Sequence, residues 1–226
     1  MPPAAPPEVL EARITADWLV IGAGYAGLAA VQRLAELHPG ARIVLLEASR
    51  VGAGPAGRNS GFMIDLPHDL ASAGYSGALE RDRAETTANR AGIDFAAQMA
   101  ERHALPEEAF ARSGKTNAAA TDKGHRHNLD YAHHLDALGE PYEMLDSAAM
   151  QEMTGISYYR SGLFTPGAAM IQPAMFVRGV AVGLRSNRVQ VFEDSPVTDL
   201  SHAGDWTATT PKGAVTAPRV ILAVNG

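Results

Sequence analysis

An α/β fold organised on a parallel sheet follows from three features of this sequence. A short run of strand-forming residues, Trp18-Leu19-Val20-Ile21, leads straight into Gly22-Ala23-Gly24-Tyr25-Ala26-Gly27, which fits the pattern G-x-G-x-x-G. A helical stretch follows with Leu28, Val31, Leu34 and Ala35 on one face, and Pro39-Gly40 stops it. A second apolar run, Ile43-Val44-Leu45-Leu46, is closed by Glu47, twenty residues after Gly27. Each part has a physical task. Gly22 permits a tight turn, Gly24 lets the backbone approach a pyrophosphate, and Gly27 lets the helix lie against the strand. The helix N-terminus offers unpaired N–H groups and partial positive charge to phosphates, and Glu47 can accept hydrogen bonds from a ribose hydroxyl. A dinucleotide is expected here.

Composition narrows the class. With 226 residues, 46% hydrophobic and 19% charged, the chain can bury a sizeable core. A net charge of −6 with scattered Lys and Arg gives no electrostatic reason to expect nucleic acid. No run approaches the ~18 apolar residues of a membrane span, and the start lacks the charged-then-apolar order of a signal peptide, so the expected location is cytoplasmic. The absence of cysteine excludes disulfides, thiolate-held iron–sulfur clusters and thiolate-linked flavin.

Residues 1–14, opening with the Pro/Ala-rich Met1 to Pro7, are expected to be a disordered lead-in. After Glu47 the sequence leaves the path of a plain nicotinamide-binding unit. Ala48 to Gly61 is a loop punctuated by Gly52, Gly54, Gly57 and Gly61, which can press its backbone against a ligand with N–H groups turned inward.

Trp18 to Gly61 resembles the N-terminal segment of the DAO superfamily of FAD-dependent oxidoreductases, the D-amino-acid, glycine and sarcosine oxidases. Gly57-Arg58-Asn59-Ser60-Gly61 is similar to the branch that holds γ-glutamylputrescine oxidoreductases. The resemblance implies a Rossmann-like FAD-binding domain with a parallel sheet, over residues 15–105 and 186–226, and part of an α+β substrate domain over 106–185. It implies that the first loop holds the ADP pyrophosphate, that the acid binds the adenosine ribose, and that the second loop runs along the diphosphate towards the isoalloxazine. Some relatives carry a covalently bonding histidine in that second loop. Here Asn59 stands near that position and no histidine lies between Glu47 and Gly61, so FAD is expected to be held non-covalently. The residues assigned to the cofactor are Gly22, Gly24, Tyr25, Ala26, Gly27, Glu47, Ala48, Gly57, Arg58, Asn59, Ser60, Gly61, Val197, Ala223 and Gly226.

The remaining elements come in order. Asp65 and His68, in the stretch leaving the second loop, are candidates to touch a substrate amine, or else solvated loop residues. Residues 78–104 read as a helix with Ala84, Ala88, Ala91, Phe95 and Met99 inward. Phe110 to Ala120 suggests two short strands joined across Gly114. Thr121 then caps a helix ended by Gly139, with Leu129, Ala132, Leu135 and Leu138 inward. His125, His127, His133 and His134 lie in that helix, but no two are three or four apart, so no metal site is expected. Tyr142 to Leu145 is a strand, and Asp146-Ser147 caps a short helix through Met153. Tyr158, Tyr159 and Arg160 are pocket residues on one reading and interface or core residues on the other; Tyr159 is the stronger pocket candidate. Pro173 opens a helix that turns Val177, Val180, Ala181 and Leu184 inward.

Val189 to Phe192 and Pro196 to Leu200 follow as strands; the resemblance implies that the main chain at Val197 meets the adenine. Trp206 to Thr209 and Ala214 to Thr216 form a hairpin around Pro211-Lys212-Gly213. Val220 to Val224 reads as a fully buried parallel strand. Ala223 to Gly226 is similar to the family's second FAD-domain signature, with Asn225 in place of the usual threonine. Family members continue well beyond this strand. The C-terminal part of the fold is therefore expected to be absent: a fragment, a truncated reading frame or one half of a split enzyme, whose partner would be the missing C-terminal half.

For a complete protein the resemblance implies oxidation of an amine or amino-acid C–N bond to the imine, by hydride transfer to flavin N5, with oxygen or another electron acceptor. Three alternatives stay open: a non-catalytic FAD-binding fragment or subunit, an NAD(P)-dependent dehydrogenase, and a flavoprotein acting on hydroxy acids or glycerol phosphate.

Overall fold

The computed structural model describes residues 6–67 and 79–224. In chain order the first elements are β1 (Arg13–Thr15), β2 (Trp18–Ile21), α1 (Tyr25–Leu37), β3 (Ile43–Leu46), β4 (Phe62–Met63) and α2 (Leu79–Arg102). Next come β5 (Phe110–Ala111), β6 (Lys115–Ala119), α3 (Asp122–Leu138), β7 (Glu143–Leu145), α4 (Ser147–Thr154), β8 (Ser161–Thr165) and β9 (Ala169–Ile171). The chain closes with α5 (Pro173–Leu184), β10 (Val189–Phe192), β11 (Asp199–Ala203), β12 (Asp205–Thr209), β13 (Ala214–Ala217) and β14 (Val220–Leu222). Two compact units result. One takes the described parts of residues 1–61, 99–109 and 172–226, and the other takes those of 62–98 and 110–171.

In the first unit a parallel sheet runs in the order β10-β3-β2-β14, with Trp18 opposite Ile43 and Ile21 opposite Leu222. All four residues of β3 are buried, as expected of a central strand covered on both faces. Helix α1 lays Leu28, Val31 and Leu34 on one side. The other side packs on a second sheet, β1-β13-β12-β11, through Leu19, Ile21, Val44, Leu46, Ala208 and Val215. Helix α5 buries Phe176, Val177, Val180, Ala181 and Leu184 and packs on α1, as its Pro-started periodicity predicts.

Several expectations need correction here. The segment leading to β1 is not a loose lead-in: Leu10 is 1% exposed inside the core between the sheets. Its amide donates to Ser195 Oγ (3.0 Å), and Arg13–Thr15 pairs in parallel with residues 214–216. Those partners lie some two hundred residues away in sequence, beyond the reach of local composition. Strand β14 is an edge strand among the described residues, and Leu222 is 62% exposed, so this strand is not fully buried. The strand expected at Pro196 to Leu200 begins instead at Asp199.

The second unit holds two three-stranded antiparallel sheets, β4-β9-β5 and β6-β8-β7. Helix α3 packs on β6 and β8, and its Tyr131, Ala132 and Leu135 meet Leu66 and Leu163 in the core. Its ends are as read: Thr121 Oγ1 accepts from the Gly124 amide (3.1 Å) and Gly139 takes a left-handed conformation. Leu129, however, is exposed. Asp146 caps α4 by accepting from the Ala149 amide (2.9 Å).

Helix α2 departs furthest from its periodicity. Ala84, Ala88 and Ala91 are exposed, whereas Asp82, Thr86, Ile93, Ala96 and Met99 are buried. Apolar periodicity overlooks polar residues that find partners, and Asp82 is buried because His134 Nε2 meets its Oδ2 at 2.9 Å. The unit boundaries shift for similar reasons. The described residues of 62–98 join the second unit, where Arg90 and Asn89 of α2 bond to Asp65. Residues 172–185 join the first, because α5 carries its apolar stripe onto α1.

Candidate cofactor-binding site

The first turn is shaped by collisions that only glycine avoids. Gly22 has φ +102°, and a Cβ there would lie 2.5 Å from the Ala223 carbonyl oxygen. A Cβ on Gly27 would fall 1.8 Å from the Gly22 carbonyl oxygen. At Gly24 the corresponding position meets nothing nearer than Ala56 Cβ at 3.8 Å, which leaves the strand-to-helix turn open. Helix α1 starts at this turn with no side-chain cap and no acidic residue in its first turn. Its N-terminal amides thus retain their capacity for an anion.

Glu47 stands beside that turn. Its Oε2 accepts from the Ala23 amide (2.8 Å) and its Oε1 from the Ser49 amide (3.1 Å), so two main-chain bonds fix the carboxylate at the end of β3. A carboxylate has further lone pairs, and these remain for a ligand hydroxyl.

The second loop folds onto the same place. It contains a one-turn 3-10 helix, Pro55–Gly57, where the sequence alone suggests no regular element. A Cβ on Gly57 would lie 2.1 Å from the Gly52 carbonyl oxygen, so the loop closes tightly on itself. Asn59 staples it. Its Nδ2 donates to the carbonyls of Pro55 and Ala56 (both 3.1 Å) and to the Tyr25 hydroxyl (3.0 Å), while its Oδ1 accepts from the Gly61 amide (2.9 Å).

Between these segments lies an open cleft of about 570 Å³. That volume is within the range of small-molecule sites. Of the residues assigned to the cofactor, Gly22, Gly24, Tyr25, Ala26, Glu47 and Ala223 line it. Gly27 and Asn59 serve it from behind, by closing the turn and holding the loop. Ala48, Gly57, Arg58, Ser60 and Gly61 are not in its walls, and neither is Val197, whose side chain packs against the core between the sheets. Gly226 lies outside the described residues. The cofactor assignment left out Ala23, Arg50, Gly52, Gly54, Pro55, Ala56 and Val224, all of which line the cleft, although the loop from Ala48 to Gly61 was expected to press against the ligand. The signal for most of them was the glycine spacing from Gly52 to Gly57, upstream of the Arg-Asn-Ser-Gly run that drew attention.

The residues fit an adenine dinucleotide. An uncapped helix end suits the pyrophosphate, the side-chain-free face at Gly24 admits close approach, and a fixed carboxylate suits a ribose. These are the three requirements of such a site, and the structure brings them together.

The substrate candidates fare differently. Asp65 is 1% exposed and its Oδ2 accepts from Arg90 Nη2 (2.9 Å) and Nε (3.1 Å). Arg90 also binds Glu140 (2.6 and 3.1 Å), and the Glu140 and Asp65 carboxylates hold its guanidinium pKa above the ordinary value. Asp65 packs so tightly on Gly167 that a Cβ there would lie 1.8 Å from its Oδ2. It is a buried ion-pair member here, without an open side for a substrate amine. Tyr159 stacks edge-on against Tyr158 (5.2 Å), which is 68% exposed, and Arg160 pairs with Asp122. His68 lies outside the described residues. Of the α3 histidines, His125 Nδ1 meets Ser161 Oγ (2.8 Å), and His134 pairs with Asp82 and is not solvated. Among the described residues no three His, Asp or Glu side chains are grouped to hold a metal ion, and no helix is long and apolar enough to cross a membrane.

Comparison with known proteins agrees with this geometry. Gamma-glutamylputrescine oxidoreductase of Escherichia coli K12 is 30% identical over 223 residues, covering 98% of this chain and 51% of that protein. The probable oxidoreductase OrdL of Haemophilus influenzae is 28% identical over 215 residues, covering 93% of this chain and 49% of that one. The chain thus spans about half the length of these curated relatives. Among solved structures, glycine oxidase from Geobacillus kaustophilus has the same fold over 92% of this chain and 55% of that one, with a TM-score of 0.73 at 19% identity. L-proline dehydrogenase from P. horikoshii matches 97% of this chain and 54% of that one, with a TM-score of 0.69 at 17% identity. Residues 17–226 match the model of the FAD dependent oxidoreductases, and with the glycine turn, the fixed Glu47 and the second loop in place, the chain belongs to that family, DAO.

Proposed function

We propose that the cleft between the first turn and the second loop binds FAD non-covalently, and that the protein oxidises the C–N bond of an amine or amino acid to the imine. The observation that carries the first half is the convergence of an uncapped helix N-terminus, Glu47 and the Gly52–Gly57 loop on one cleft. The first turn and Glu47 would serve any adenine dinucleotide; the second loop folding onto them favours FAD over a nicotinamide cofactor. In support of non-covalent binding, the chain has no cysteine, and Asn59 is occupied by its own loop and Tyr25.

The substrate class draws on the relatives. The E. coli protein is named for gamma-glutamylputrescine, and the structural neighbours for glycine and L-proline, all amino compounds. When bound, FAD supplies the acceptor for the hydride lost from the carbon next to nitrogen. The nitrogen loses a proton, water hydrolyses the imine, and the electrons pass on to oxygen or another acceptor. This chain's part is to bind and orient. The α1 N-terminus would face the diphosphate and Glu47 would hold the adenosine ribose, while Asn59 keeps the second loop closed.

The test is a visible spectrum of the purified chain after incubation with FAD and dialysis. Retained flavin absorbance that acid precipitation releases into the supernatant is the expected result. A colourless chain would overturn the cofactor assignment, and colour retained in the pellet would overturn its non-covalent form. Bleaching on addition of an amine or amino acid, and no bleaching with hydroxy acids, tests the substrate class.

A further inference from the structure

A buried carboxylate outside the cleft holds the loop that forms one of its walls. Glu193, at the end of β10, is only 9% exposed. Its Oε1 accepts from the Val51 amide (2.8 Å) and from Arg50 Nε (3.1 Å), and its Oε2 from Arg185 Nη2 (3.3 Å). Arg50 lines the cleft; Val51 begins the turn that passes through Gly52, Gly54 and Gly57. The turn that carries Glu193, residues 192–195, grips the main chain just upstream. The Glu47 amide donates to the Phe192 carbonyl, the Asp194 amide to the Ser49 carbonyl, and the Ser195 amide to the Glu47 carbonyl, all at 2.9–3.0 Å. On its far side the Glu193 amide donates to the Glu8 carbonyl (2.9 Å), and Glu8 pairs with Arg185 (3.1 Å).

We propose that Glu193 is a positioning residue for the cofactor cleft, acting through Arg50 and the Val51 amide and making no contact with the ligand. This rests on the FAD reading above. A glycine-punctuated loop loses more backbone freedom on ordering than any other kind, so its binding-ready shape depends on whatever pins its ends. Asn59 pins the distal end. At the proximal end Arg178 Nε donates to the Val51 carbonyl (3.1 Å), but Glu193 takes the Val51 amide and also aims the Arg50 guanidinium. Two cations sit against one buried carboxylate, so loss of its charge weakens the hold on Arg50 and leaves more of the loop's ordering to the ligand itself. The interaction spans more than 140 residues of sequence and had no local signature.

The experiment measures the FAD dissociation constant, by flavin fluorescence titration, for the wild-type chain, Glu193→Gln, Arg50→Met, the double variant and Ser195→Ala. Thermal unfolding without FAD is recorded for each. Ser195 belongs to the same turn, and its Oγ holds the Leu10 amide and the Glu193 carbonyl, not the loop. Expected are affinity losses of about ten-fold for Glu193→Gln and a smaller loss for Arg50→Met. The double variant should lose less than the two effects combined, because they share one path. Ser195→Ala should lower the melting temperature and leave affinity within about two-fold, the scatter of independent sites. If Glu193→Gln fails to fold by circular dichroism, Glu193→Asp, which keeps the charge but shortens its reach to Arg50 and the Val51 amide, takes its place in the same comparison with Arg50→Met, the double variant and Ser195→Ala. Wild-type affinity in Glu193→Gln and Arg50→Met would overturn the proposal and leave the FAD reading intact, as would fully additive losses. A wild-type chain that binds no FAD would overturn both.

Discussion

At the cleft of the first unit the working groups are main-chain amides, and the side chains that matter are mostly absent ones. Gly22 and Gly27 shape the turn by collisions, Gly24 leaves it open, and the carboxylate in the wall, Glu47, is held by the amides of Ala23 and Ser49. In the second unit the buried polarity is carried by side chains from distant segments: Asp65 with Arg90 and Glu140, and Asp82 with His134. A backbone-built site is written in residue spacing, because only glycine avoids the collisions it requires. A side-chain network is written in pairings that span 25 to 52 residues, and no short pattern records them.

That contrast can be broken at either end. The largest effect is expected at Gly27. Replacement by valine puts atoms into the Gly22 carbonyl, with a first contact at 1.8 Å for Cβ alone. The loss should exceed about 4 kcal/mol, the range of outright backbone collisions, and should appear as failure to accumulate soluble, cooperatively unfolding protein. A Gly27→Val chain with a wild-type urea midpoint would show that the turn is not set by backbone contact.

Next comes Arg90→Met in the second unit. It removes the cation hydrogen-bonded to the buried Asp65 carboxylate, at a cost of about 3 kcal/mol. That is the low end for a broken buried pair, because Arg90 is 41% exposed and already partly solvated. Chemical denaturation measures it; a change below experimental error would mean that Asp65 is satisfied in some other way. Asp82→Ala should cost about 2 kcal/mol by removing the partner of His134 Nε2, with Asp82→Asn milder because an acceptor remains.

The smallest effect sits in the first unit and sharpens the comparison, since it concerns that unit's own half-buried titratable side chain. His103 Nε2 meets Gln32 Oε1 at 2.8 Å. Burial, and then the neighbouring Arg102, push its pKa below the ordinary 6.5. The unfolded chain therefore takes up this proton first as pH falls. Its contribution to stability is complete above pH 6.5 and drains away as pH drops below that value. Unfolding midpoints compared between about pH 7.5 and 5.5 should fall for the wild-type chain and fall less for His103→Gln. Equal slopes would remove His103 from the pH dependence.

Where the sequence was legible, the physics was local. Trp18–Ile21, Tyr25–Leu37 and Ile43–Leu46 are where apolar spacing and the glycines place them. Thr121, Asp146 and Pro173 mark helix starts as their side chains require, and Gly139 ends one through its left-handed backbone. Where it was not, a long-range partner overrode the pattern. Asp82, paired with His134, occupies the buried face of α2 that alanines were expected to fill, and Asp65 turned from a substrate candidate into half of an ion pair. Leu10 was hidden in a proline-rich opening because its place in the core depends on strands formed near residue 215.

By itself, then, the sequence determined the βαβ unit and the kind of ligand its turn admits, since glycine positions and an acid at a strand end impose that geometry on any chain that folds. Tertiary structure alone decided which residues wall the cleft and what steadies them. Arg50, Pro55 and Ala56 reach it, whereas Arg58 and Val197 do not, and Glu193 acts on it from outside. The reason is physical. A turn is settled by collisions between near neighbours, but a loop goes where a buried charge more than a hundred residues away finds its hydrogen bonds.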